Sequence, residues 1–158
     1  MKRPPEVYLL YFLHFFIGVN ALIGGVSLMV KKDGSLLGMQ PDWLKETPFT
    51  DYFIPGLLLL LLLGVLPLVV LAGLVLKKWR APRKLLIYPD TFWAWTGSLL
   101  IGIVLFTWIM VQLLLTRYFI LQPMMLAIAS LIILITLLPR VMKFYTNGGR
   151  GREIMNGE

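Results

Sequence analysis

The sequence predicts an all-α polytopic membrane protein, a four-helix bundle with both termini on the cytoplasmic side. Three observations carry that prediction. First, Val7–Val30, Tyr52–Leu76, Thr91–Thr116 and Tyr118–Pro139 contain no Asp, Glu, Lys or Arg. At ~1.5 Å of rise per residue each is long enough to cross a hydrocarbon layer of ~30 Å. Second, these stretches lack the polar face of a soluble helix, and Leu57–Leu63 is apolar all round. Strands of a membrane barrel would alternate and be shorter. Third, the 15 basic residues segregate. Eleven lie before the first stretch, between the second and third, or after the fourth, against four in the other connections. Positive residues concentrate on the cytoplasmic side, which sets N-in and C-in.

The first helix is expected at about 8–30. Its apolar run is too long for a signal peptide, and no small-x-small cleavage site follows it. His14, Gly18, Ala21 and Gly25 fall on one face, with Asn20, Gly24 and Ser27 in a neighbouring stripe. Small residues permit close helix approach, and Asn or Ser hydrogen-bonds across the gap. Gly18, Gly24 and Gly25 are therefore the expected packing positions.

The external loop, 31–53, holds four of the eight acids: Asp33, Asp42, Glu46 and Asp51. A short helix is expected over Pro41–Glu46, capped by Asp42, with Trp43 and Leu44 in the headgroup layer. Thr50 or Asp51 then caps the second helix, 54–76. Phe49, Tyr52 and Phe53 form an aromatic collar at the interface. On this reading the loop seats the helix. The rival reading is a lid whose acids and Trp43 receive a cation or a partner. No calcium-loop spacing is present. In the second helix, Pro67 removes the bond to the Leu63 carbonyl and predicts a kink beside Gly64.

Loop 2 carries Lys77, Lys78, Arg80, Arg83 and Lys84, directly at a helix end. There they meet anionic lipid headgroups rather than nucleic acid. Asp90 or Thr91 caps the third helix, 92–115, and Trp79, Tyr88, Trp93 and Trp95 gather at the inner boundary. A short connection leads to the fourth helix, 121–138. Asn147-Gly148-Gly149 ends any extension, leaving 147–158 as a flexible tail. "YFIPG" at Tyr52 and "YFILQP" at Tyr118 echo each other at two entries.

"DGSLLGM…PDWLKETPFTDYFIPGLLL", preceded by Gly24-Gly25, with "LTRYFILQPM" later, resembles a recurring pattern in uncharacterised small prokaryotic four-helix membrane proteins. The topology is similar to that of DoxX-like proteins. The resemblance spans most of the chain and implies the fold, the cell membrane as location, and no particular activity.

Intramembrane polar groups normally face the bundle. His14, Asn20, Ser98, Thr107 and Ser130 are accordingly the expected interior polar or ligand-binding positions, with Ser98 and Thr136 at the depth of His14. There is no cysteine, which removes disulfides and thiolate metal sites. One histidine does not make a haem or zinc site, so neither cofactor nor metal is expected. No catalytic motif is present. Three function classes follow: a non-enzymatic accessory or self-associating membrane component; a small transporter or channel around His14 and Asn20; and a lipid- or quinone-linked enzyme.

Overall fold

The computed structural model describes residues 3–45, 47–76, 92–115, 118 and 120–153, with side chains up to 146. Every regular element among them is helical. Helix α1 is Pro5–Val30, α2 is Phe53–Leu76, α3 is Trp93–Leu115, α4 is Leu121–Leu137 and α5 is Pro139–Glu153. Helices α1, α2 and α3 are each long and apolar enough to cross a membrane. The α4–α5 pair meets the same test only as a unit, bent by 58°.

Helix α1 starts three residues earlier than its apolar pattern suggests, because Pro5 tolerates the first turn, where its missing N–H has no helical partner. It lies along the whole of α2. The later half of α2 packs on α3, α3 packs on α4, and α4 returns to touch α1. The buried core runs through the middle of this arrangement, from Val7, Leu10 and Leu13 through Leu63 and Leu74 to Leu105 and Ile132. Large apolar side chains also cover the outside, among them Phe12, Phe15, Ile23, Leu114 and Leu134. An apolar exterior around an apolar core is the pattern of a chain solvated by hydrocarbon.

Glycines decide how closely α1 and α2 approach. A Cβ on Gly18 would lie 2.7 Å from the Leu68 side chain. One on Gly25 would lie 2.7 Å from the Gly56 carbonyl oxygen and 2.9 Å from the Leu60 nitrogen. Across the interface, Gly56 and Gly64 would strike Leu28 and Leu22 in the same way. Gly18 and Gly25 are thus committed to packing inside the chain. Gly24 is different: its Cβ would make one ordinary contact, 3.4 Å from Leu59 Cδ2.

Where the sequence predicts a kink beside Gly64, α2 runs on as one helix with a π-helical stretch, Leu59–Val65, ahead of Pro67. Leu66 donates to the Leu61 carbonyl, five residues back. The wider turn moves the preceding carbonyls out of the path of the Pro67 ring, which an α-turn would drive into Leu63.

One expectation at the C-terminal end needs correction, although the fourth helix falls where the sequence puts it. The fourth helix stops at Leu137, because Leu138 takes the extended conformation (φ −57°, ψ 131°) demanded of a residue before proline. The chain then begins a new helix at Pro139 and stays helical past Asn147-Gly148-Gly149 to Glu153. Glycine weakens a helix by about 1 kcal/mol but, unlike proline, leaves every backbone bond possible. Val141, Phe144 and Tyr145 anchor α5 by burying one face.

Candidate functional site

At the loop end, residues 31–53 fold into a cap with a small core of its own. Leu28, Leu44 and Tyr52 are buried together, with Met39, Phe49 and Leu59 against them. Tyr52 holds the cap from both sides: its N–H donates to the Lys32 carbonyl (2.9 Å) and its hydroxyl to the Gln40 carbonyl (2.7 Å). Burial pushes the Tyr52 phenol above its ordinary value. Gly34 has φ 78°, and a Cβ there would lie 2.8 Å from the Tyr52 ring. That position therefore demands glycine on two counts.

The loop acids do not converge. Asp33 Oδ1 accepts from the Ser35 N–H (3.0 Å) and hydroxyl (2.7 Å). Those two bonds, the backbone one foremost, hold its carboxyl below the usual range. Asp42 pairs with Lys45 at 3.1 Å, both well exposed, so the pair adds little stability. Asp51 Oδ1 accepts from the Phe53 N–H (2.9 Å), although Tyr52, rather than Thr50 or Asp51, holds the cap position of α2. Glu46 lies outside the described residues. Among the described residues no three metal-ligating side chains of the His, Cys, Asp or Glu kind gather.

The short helix is a 3₁₀ turn, Pro41–Leu44, with Gln40 rather than Asp42 in the cap position. Proline takes the first turn and moves the cap two residues back, from Asp42 to Gln40. Trp43 is half-buried on the cap, and Leu44 is buried in its core. The two echoed tyrosines are not equivalent, since Tyr52 is buried and Tyr118 is 71% exposed.

The expected interior polar set divides. His14 and Ser98 are fully buried. His14 Nδ1 donates to the Leu10 carbonyl at 2.9 Å, while its Nε2 is buried without a partner. Ser98 shares a hydrogen bond with Thr136 (2.9 Å), and Trp95 Nε1 donates to the Thr136 carbonyl (2.8 Å). Trp95 is therefore a core residue joining α3 to α4, not a boundary anchor. Gln122 is also buried, at a helix start where the sequence offers no periodic signal for it. Ser130 is half-buried and donates to the Leu126 carbonyl of its own helix (2.9 Å).

Asn20 and Thr107 are corrections, because both lie on the exposed surface. The helix phase puts Asn20 on the side of α1 turned away from His14 and the α2 contact. Its Nδ2 donates to the Phe16 carbonyl one turn back (2.7 Å). Its Oδ1 and second N–H have no partner among the described residues. His14 and Asn20 thus do not form one site.

At the opposite end, side chains reach main-chain carbonyls late in α2. Tyr11 and Tyr145 hydroxyls both reach the Leu74 carbonyl (3.1 and 3.3 Å) and each other (3.2 Å). Arg3 donates to the Val75 carbonyl (3.2 Å). Nearby, Arg140 stands 3.6 Å from Glu6. No sequence signal joins Tyr11 to Tyr145, since only the bend at Leu138 brings them together. The basic run Lys77, Lys78, Arg80, Arg83 and Lys84, with Trp79, Tyr88, Asp90 and Thr91, lies outside the described residues.

No family model matches the chain, and no curated protein or solved structure is similar to it at a significant level.

Proposed function

We propose that the protein is a four-span bundle in the cell membrane, both termini cytoplasmic, whose fourth span is α4, with Arg140 and Lys143 of the bent-away α5 on the cytoplasmic side. It works as a non-enzymatic component by associating with membrane protein. The basic run in the 77–84 connection would lie against anionic headgroups, as its position at a span end suggests. The observation that carries the association reading is Asn20, an amide with unused donor and acceptor near the middle of a span and on its outer surface. Such a group in hydrocarbon costs several kcal/mol, on the order of 1–3 by protein measurements, until another chain satisfies it. In the core, Ser98 pairs with Thr136 and Trp95 with the Thr136 carbonyl, while His14 Nε2, Trp93 Nε1 and Thr96 Oγ1 are buried without a hydrogen bond among the described residues. Native mass spectrometry of the protein extracted gently from its own membrane tests this. A complex of fixed stoichiometry that Asn20→Leu dissociates is the expected result. A monomer carrying only a small molecule would overturn it.

One observation favours a second reading. The unpartnered Nε2 of buried His14 suits a proton-linked or ligand-binding step inside the bundle. Flux in reconstituted vesicles that disappears with His14→Ala would establish it, and flux indifferent to that change would remove it.

A further inference from the structure

We infer that the associating partner is a second copy of this chain, joined through the Asn20–Gly24–Ser27 face of α1 by a reciprocal pair of Asn20 amide hydrogen bonds. This rests on the association reading above and names its partner.

The argument begins with hydrogen-bond stoichiometry. An asparagine amide has two N–H donors and one carbonyl oxygen. In Asn20 one N–H is spent on the Phe16 carbonyl. One donor and the acceptor remain, the complement that an identical amide needs. Two copies inserted in the same orientation are related by a two-fold axis along the membrane normal, which brings residue i of one α1 to the depth of residue i of the other. Each Asn20 then donates once and accepts once. An unrelated partner would have to place both a donor and an acceptor at the same depth.

The second observation is steric. Gly18 and Gly25 are explained by α2, because a Cβ at either would lie within 3 Å of its atoms. Gly24 has no such internal explanation, with only the Leu59 methyl at 3.4 Å. It follows Asn20 by one turn, on nearly the same face. A missing side chain there lets a second α1 backbone approach closely enough for the Asn20 amides to meet. Ser27, two turns beyond Asn20, donates to the Ile23 carbonyl (2.8 Å) and keeps that face small. Ile23, 61% exposed, lies beside it and supplies apolar contact.

The chain has no cysteine, so single cysteines report proximity on the full-length protein in its own membrane. Ser27→Cys should give a disulfide-linked dimer under mild oxidation, and Val111→Cys, on exposed α3 surface, should not. Energy transfer between labelled copies diluted in vesicles measures the affinity. Asn20→Leu should weaken the dimer by roughly tenfold or more, the scale of two interhelical hydrogen bonds, and Asn20→Gln should retain part of it. Because Asn20 is exposed, Asn20→Leu should leave the unfolding midpoint of the isolated chain unchanged, which separates lost pairing from lost folding. A dimer indifferent to Asn20→Leu, or cross-linking equal at both cysteines, would overturn the inference. A chain that never self-associates but enters an Asn20-dependent complex with a different protein would overturn it and leave the association function standing. A chain that does neither would end both.

Discussion

Gly24 and Gly25 are neighbours in sequence, and the same substitution at each should move stability in opposite directions. Replacing a helical glycine by alanine removes backbone freedom from the unfolded chain and contributes about 0.5–1 kcal/mol to helix stability. At Gly24 that gain stands alone, because the new methyl meets one side-chain atom at an ordinary 3.4 Å. At Gly25 the methyl falls 2.7 Å from the Gly56 oxygen, 2.8 Å from Leu60 Cβ and 2.9 Å from the Leu60 nitrogen. Two of those atoms are main chain and cannot rotate away. The α1 and α2 backbones must separate by several tenths of an ångström, loosening contacts along both helices. Overpacking of this kind costs about 1–3 kcal/mol. Both variants carry the propensity gain, so Gly25→Ala is expected to be less stable than Gly24→Ala by about 1–3 kcal/mol, the overpacking cost. The assay is unfolding by a denaturing detergent, followed by helical circular dichroism at dilutions that keep the chain monomeric. Equal midpoints, or a more stable Gly25→Ala, would refute the close α1–α2 approach.

Thr136→Val should cost about 1–3 kcal/mol by stranding the buried Ser98 hydroxyl. Adding Ser98→Ala should cost less than its share, and a double-mutant cycle that came out additive would contradict the 2.9 Å pair. Tyr11→Phe and Tyr145→Phe should behave the other way. Each alone costs about 0.5–1 kcal/mol, because the remaining hydroxyl still serves the Leu74 carbonyl, and together they exceed the sum. At the loop end, the lowered Asp33 carboxyl stabilises the 31–53 cap only while ionised. Its contribution is complete above the ordinary value of 3.8 and disappears as pH falls below it. Hydrogen-exchange protection of the amides following Asp33 should show that acid-side loss, and Asp33→Ala should show no step there.

Much of the fold was legible in the sequence because charge is so costly in hydrocarbon. The four charge-free stretches mark the helices to within a few residues, and Pro139 marks the place where the last one breaks. The loop, too, was partly readable. Asp51 does bond the Phe53 N–H at the start of α2, although Leu44, Phe49 and Tyr52 pack into a core that no periodicity announces. The polar residues were less legible. Ser98 and Thr136 stand at matching depth and do pair. Asn20 and Thr107 stand at comparable depth and face outward. Depth follows from counting along a helix, whereas direction depends on which neighbour the helix meets.

The same contrast separates the two kinds of information in this protein. Composition and charge placement alone determined a helical chain built for an apolar surround, because desolvating a charge is costly wherever it occurs along a span. Only the tertiary structure decided which glycines close the α1–α2 contact, which tyrosines reach α2, and which amide is left open. Those outcomes depend on helix rotation and approach distance, set by side-chain packing between segments far apart in sequence.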